Sequence, residues 1–196
     1  MFQNMPAKMR ARMRKLEAID ATERQERLPA SERLCAVPPE TGRLLALLAA
    51  SAPAGEFIEI GTSSGYSTLW LICAAAIRGH RVQTFECASH KILIAQETFS
   101  TAEVTDLVGL IHGDVRRYLP NCRNVAFCFM DHAKELYAEC YEMLVPNLVA
   151  GGLLVIDNIL SHHDILAPFI AQVMADTRVD AATVPIGKGI LLTRKI

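Results

Sequence analysis

The stretch Glu56–Trp70 reads EFIEIGTSSGYSTLW, an apolar run that passes through a glycine turn into a second apolar segment. Gly61 and Gly65 stand four residues apart, where a chain leaving a strand would turn into a helix. A bare backbone at such a turn lets a ligand approach closely, as in phosphate and nucleoside sites. Position 63 separates those two readings. The dinucleotide fingerprint G-x-G-x-x-G needs a glycine there, and the chain has Ser63. The pattern argues against a pyrophosphate and leaves a close-approach turn after Ile60, with Tyr66, Ser67 and Thr68 opening a helix.

Outward from this turn the chain alternates. Short apolar runs recur at FIEI (57–60), VQTFE (82–86), VGLIH (108–112), VAFCFM (125–130) and LLVID (153–157). Helical spacing lies between them, at 66–78, 89–100, 134–145 and 164–176. Continuous apolar strands separated by helices predict a parallel sheet covered on both faces. The end, RVDAATVPIGKGILLTRKI, reads as two strands around a Pro/Gly turn. Before the first strand, TGRLLALLAA predicts one helix. Residues 5–27 predict another, with Met5, Met9, Met13 and Leu16 on one face. The expected fold class is α/β, one doubly wound domain over 1–196, with a helical extension (1–37) ahead of the core (38–196).

The 196 residues suffice for one sizeable core, and 51% hydrophobic against 21% charged residues excludes a disordered chain. A formal net charge of −1 gives no global attraction to nucleic acid or anionic membrane. Lys8, Arg10, Arg12, Arg14 and Lys15 crowd the first helix, and read as a solvated face around the methionines, which would meet this chain or a partner subunit. No apolar run is long enough to span a bilayer, and MFQNMPAKMR lacks the apolar region of a secretory signal. Six scattered cysteines without a CxxC pair read as free thiols in a reducing compartment. The expected location is cytoplasmic.

In a doubly wound sheet, ligands lie beyond the carboxyl ends of the strands. The second run ends in Glu86, able to accept from both hydroxyls of a ribose. The third ends HGD, placing Asp114 where it could accept from an adenine amino group. A glycine turn and two strand-end acids in order favour an adenosine ligand without a pyrophosphate, which describes S-adenosyl-L-methionine. The fourth and fifth runs end in Asp131 and in Asp157-Asn158. Two carboxylates and an amide oxygen are hard ligands suited to a magnesium-type cation. Lys134, three residues beyond Asp131 on the expected first turn of the next helix, is placed to act as a base. Read structurally, Asp131 is a helix N-cap and Asp157-Asn158 a turn; the recurrence on adjacent strand ends favours a site.

These motifs resemble the cation-dependent O-methyltransferases, the group of catechol and caffeoyl-coenzyme A O-methyltransferases, from about Pro38 to the C-terminus. PPETGRLLALL, EIGTSSGYST, FECASH, HGD, MDHAKELY, LVIDN and PIGKGILL are the segments concerned. The resemblance implies a Rossmann-like sheet of seven strands with the last antiparallel. It implies cofactor contacts at Glu59, Gly61, Ser67, Glu86 and Asp114, within a lining that takes in Thr62, Ser63, Gly65, Tyr66, Cys87, Gly113, Val115 and Asp131. It further implies metal ligands Asp131, Asp157 and Asn158, a catalytic Lys134 working beside Asp131, a small hydroxylated acceptor and a homodimer. Two departures stand out. The closing turn reads GKG, where the family commonly has an acid between the glycines, and the loop ILSHHDIL after Asn158 is short. His162 and His163 in it read as exposed.

The leading expectation is methyl transfer to a catechol-like hydroxyl. The alternatives are transfer to a tRNA base hydroxyl, with the basic first helix on phosphates, and a non-catalytic S-adenosylmethionine binder. A nicotinamide dehydrogenase is disfavoured by Ser63.

Overall fold

Runs that are apolar throughout become central strands because both faces of this sheet are covered. The computed structural model describes residues 1–196. The chain runs α1 (Ala7–Gln25), α2 (Pro39–Ser51), β1 (Glu56–Ile60), α3 (Tyr66–Ala75), β2 (Val82–Glu86), α4 (Ser89–Thr101), β3 (Val108–His112), β4 (Val125–Met130), α5 (Tyr137–Leu144), β5 (Leu148–Ile156), α6 (His163–Ala175), β6 (Val179–Val184) and β7 (Ile190–Lys195). The seven strands form one sheet in the order β3-β2-β1-β4-β5-β7-β6. β1 pairs in parallel with β2 and β4, and β7 is antiparallel to both β5 and β6. The mostly parallel sheet with an antiparallel last strand is the one the resemblance implied.

Alternate strand residues feed two cores. Phe57, Phe127, Phe129 and Val155 pack with α1 to α4 on one face. Ile58, Ile60, Cys128, Met130 and Leu154 pack with α5 and α6 on the other. Met5, Met9, Met13 and Leu16 of the first helical segment are buried in the first core, so the stripe meets its own chain. Two of the neighbouring basic residues are neutralised within the chain: Arg12, 4% exposed, bonds Thr98 and Glu97, and Lys8 pairs with Glu103.

Three element boundaries differ from the sequence pattern. β5 begins five residues earlier than the run LLVID, because its pairing with β4 slips between Val125 and Phe127 and a bulge absorbs the slip. Gly151 takes φ 77 at that bulge, a conformation glycine adopts without strain. The helix expected over 134–145 starts at Tyr137, and Lys134 lies on a preceding 3-10 turn, Lys134–Leu136. α3 ends at Ala75 and closes through a 3-10 turn, Ala76–Arg78, onto Gly79 with φ 67.

Candidate active site

All five strand ends singled out in the sequence lie on one edge of the sheet, as parallel pairing requires. Gly61 takes φ 100, and a Cβ there would stand 2.0 Å from the Asp131 carbonyl oxygen. Gly65 takes φ 80, and its Cβ would meet the Phe99 ring at 2.7 Å. Both glycines are therefore required by the fold itself: the β1 turn is pressed against the β4 turn and against α4. Ser63 adopts φ 47, a left-handed conformation that glycine would take more easily. Its hydroxyl donates to Leu34 O at 2.6 Å and its N–H to Glu86 Oε2 at 2.9 Å.

Glu86 closes the β2 end. Its Oε1 accepts from the backbone of Cys87 and Ala88, each at 2.9 Å, so three N–H groups converge on one carboxylate. Asp114 caps the 3-10 turn after β3 and is gripped by Arg116, with Oδ2 2.6 Å from Nη2. Hydrogen bonds from Arg116 hold its carboxyl at about 2. A cleft of about 350 Å³ lies between these groups, walled by Ile60, Phe85, Val115 and Leu136 with Gly61, Gly113 and Cys87 at its edges. Glu59 is elsewhere. It is fully buried beneath the turn, its Oε2 accepting from Thr84 at 2.6 Å and from Thr68, and burial pushes its carboxyl up to about 7. Thr62, also buried, bonds the same Thr84 at 2.6 Å.

A second cleft, about 810 Å³, continues from the first past Gly61 and Asp131. Thr62, Ser63, Tyr66 and Ser67 line it, and so does the segment between α1 and α2. That segment is tied down at several points. Leu34 N–H donates to Glu23, Ala36 N–H to Asp20, and Lys91 reaches Arg33 O. No sequence motif marks it; the glutamate and aspartate that hold it read as ordinary helix-surface charges.

The β4 and β5 ends bring Asp131, Lys134, Asp157 and Asn158 together. Asp131 Oδ1 accepts from Lys134 Nζ and from Asn158 Nδ2, both at 2.7 Å. Lys134 Nζ also donates to His132 O at 2.8 Å and to the Tyr137 hydroxyl at 2.9 Å. Asn158 takes φ 70, a left-handed conformation that asparagine tolerates better than most residues. Its N–H donates to Asp157 Oδ1 at 2.7 Å, and its Oδ1 accepts from Ser161 at 3.2 Å. Asp157 Oδ2 is buried without a partner. Burial, then the charge of Asp131, pushes the Asp157 carboxyl above its ordinary value. Two buried or half-buried acids and an amide oxygen, one acid oxygen still unpartnered, fit a hard divalent cation. No group of three His, Cys, Asp or Glu side chains that could hold a metal ion is present, so a cation here would rest on two carboxylates and the Asn158 amide oxygen.

Sequence reasoning missed His132 and Tyr137. His132 borders both clefts, its Nε2 is buried and unpartnered, and burial followed by the Lys134 charge lowers it to about 4. Its ring packs on Tyr137, centroids 5.1 Å apart. The spacing of Lys134 and Tyr137, three apart on a helical turn, was a usable signal. His162 is half-buried rather than exposed, its Nδ1 3.0 Å from Ser161 Oγ, while His163 is exposed at the start of α6.

Known proteins agree with this architecture. Over 95% of its length the chain superposes on the crystal structure of an O-methyltransferase from Bacillus cereus in complex with SAH, covering 91% of that chain at TM-score 0.79 and 23% identity. The fold is that of the class I methyltransferases. Residues 16–196 match the O-methyltransferase family. Catechol O-methyltransferase of Mycobacterium tuberculosis is 32% identical over 134 residues, 67% of this chain, and the match spans 60% of that protein. A caffeoyl-CoA O-methyltransferase homologue of Arabidopsis thaliana is 26% identical over 181 residues, covering 82% of this chain and 78% of its own. The chain belongs to the O-methyltransferase family, whose members are S-adenosylmethionine-dependent.

Proposed function

We propose that this chain moves a methyl group from S-adenosylmethionine to one of two neighbouring hydroxyls on a small catechol-like acceptor. The observation that carries the reading is the convergence of Asp131, Asp157, Asn158 and Lys134 beside the cleft, with Asp157 Oδ2 left unpartnered. S-adenosylmethionine supplies an electrophilic methyl when bound, with Glu86, Asp114 and the Gly61–Ser67 turn as its cradle. A divalent cation such as magnesium, held by Asp131, Asp157 and Asn158, supplies positive charge that makes acceptor hydroxyls more acidic.

The chain's own groups do the rest. The three contacts of Lys134 Nζ are those of an ammonium, the state after a proton has been taken up. The neutral amine has one donor fewer and a lone pair, so one contact opens while the other two keep Nζ in place to receive the acceptor proton. The Ser63–Leu34 bond and the segment around it keep the acceptor and the turn aligned and limit water. Lys8 and Arg12, two of the five cations of the basic helix, are paired within the chain, which supports the small-acceptor reading over the tRNA one.

Methyl transfer to a catechol, measured with magnesium and with excess EDTA, tests this reading. Turnover is expected with the metal and should stop with chelator; equal rates in both would overturn the metal-assisted mechanism.

The role of Glu86 has its own test. A carboxylate has roughly four acceptor sites, and three are taken by Ser63, Cys87 and Ala88. About one strong bond to a ribose hydroxyl remains, worth roughly 1.5–3 kcal/mol. Calorimetric titration of S-adenosylmethionine into Glu86→Ala is expected to show at least about tenfold weaker binding. Unchanged affinity would remove Glu86 from the cofactor site.

A further inference from the structure

The turn between β6 and β7 carries Lys188 at the same sheet edge as the candidate active site, on the side away from the cofactor half. Strand order fixes this: β3, β2 and β1 hold the nucleoside-sized cleft, β4 and β5 hold the acidic cluster, and the β6–β7 turn follows next. The turn is sewn to the loop after Asn158. Ile159 N–H donates to Gly189 O at 3.1 Å, Leu160 N–H to Lys188 O at 3.0 Å and Ser161 N–H to Lys188 O at 3.2 Å. Ser161 in turn donates its hydroxyl to Asn158 Oδ1, so two hydrogen bonds connect the Lys188 backbone to a candidate metal ligand. On its other flank the turn rests on α2, where a Cβ on Gly187 would meet Thr41 Oγ1 at 2.3 Å.

Lys188 is half-buried as a residue and makes none of the ion pairs in the chain. Lys134, by contrast, is held by three acceptors and has no donor left over. The charges facing Lys188 are Asp157 and, around it, Asp131, Lys134 and His162; its own charge opposes the burial that raises Asp157 and, after burial and Lys134, helps to lower His162. Beside it the Leu160 side chain stands against Gly189 and is 53% exposed, an apolar surface suited to the face of a ring.

Lys188 makes no direct ion pair, although Asp157 carries charge nearby, so beside the apolar Leu160 its ammonium keeps its donors for an anion on a bound acceptor. The geometry points to an acceptor that carries a carboxylate, an aromatic vicinal diol acid, with Lys188 as the residue that selects it. This rests on the proposed catechol-type reading and names the substrate class of that site. The neighbouring hydroxyls go toward Lys134 and the acids, and the carboxylate toward the β6–β7 turn. Lys188 touches the bound acceptor without taking part in proton or methyl transfer.

The probe pair is 3,4-dihydroxybenzoate and its methyl ester, which differ in one charge. The native enzyme is expected to favour the acid by roughly tenfold in kcat/KM, the worth of one partly exposed charge-assisted hydrogen bond. Lys188→Gln should bring the acid-to-ester ratio close to one and Lys188→Glu should invert it, with the change carried by KM. A native ratio near one, or a ratio that survives Lys188→Glu, would overturn the assignment. Calorimetric binding of the two compounds to the magnesium-loaded protein separates this from the reading beneath it. Acid binding that depends on Lys188 with no methylation of either compound would sustain the anion site and sink the catechol-methylating reading. Equal binding of acid and ester, or binding of neither, would sink the anion site itself.

Discussion

Lys134→Ala is expected to slow the methyl-transfer step by about 10²–10⁴-fold, the usual worth of a positioned base, while leaving cofactor affinity in place. The reason lies in what the ammonium touches. Its partners are Asp131 Oδ1, His132 O and the Tyr137 hydroxyl, all on the β4 turn or α5, and none belongs to the Glu86–Ser63 arrangement. Removing the ammonium 2.7 Å from Asp131 also leaves that carboxylate with less positive charge beside it, so magnesium affinity should hold or rise. Raising the pH should partly restore the variant, because more of the acceptor ionises without help. Single-turnover rates between neutral and alkaline pH, set beside cofactor titrations, check this. A variant as fast as the native enzyme, or one whose whole loss is in cofactor affinity, would take the base role away from Lys134.

The residues of that site were legible because strand ends are easy to find in a doubly wound chain. Val125–Met130 is fully apolar, Val108–His112 nearly so, and Val82–Glu86 is anchored by Val82 and Phe85; their ends coincide with Asp131, HGD and Glu86. Parallel pairing then has no choice but to place those ends on one edge. What the sequence conceals is what depends on contacts between distant segments. Gly61 reads as an opening for a ligand, whereas the Asp131 carbonyl occupies the space against it. The run LLVID marks only the second half of β5, because the bulge at Gly151 that lets the strand extend back to Leu148 depends on its pairing with β4. The segment around Leu34 has no periodicity, and only the bond from Ser63 reveals that it walls the larger cleft. Lys188 stands out by its charge alone until the hydrogen bonds from Ile159, Leu160 and Ser161 place it beside the acids. Glu59 shows the reverse case: a strand-end acid in a cofactor-like motif that lies fully buried and bonded to Thr68 and Thr84.

Asp157→Asn should have two opposite effects, a collapse of metal-stimulated turnover by roughly 10²-fold or more and a more stable metal-free protein at alkaline pH. Asp157 has one oxygen on the Asn158 N–H and one buried without a partner, and burial and then Asp131 push its carboxyl above the ordinary aspartate value. A carboxyl whose folded pKa exceeds its unfolded one favours the fold fully below the unfolded value. It loses that contribution as pH climbs through the folded value. Stability of the metal-free protein is therefore expected to decline from about pH 4 upward on this account. Glu59, raised to about 7 by burial, contributes in the same direction, so the comparison must be between native protein and variant at each pH. Asparagine keeps the shape and an oxygen for the Asn158 N–H while removing the charge, so the variant's advantage should be clear at pH 8 and vanish near pH 4. Magnesium should raise the melting temperature of the native protein, since a ligand that binds only the folded state stabilises it by mass action, and should leave that of Asp157→Asn nearly unmoved. A variant that still responds to magnesium, or that melts below the native protein at pH 8 without metal, would show that Asp157 serves the turn alone and is no cation ligand.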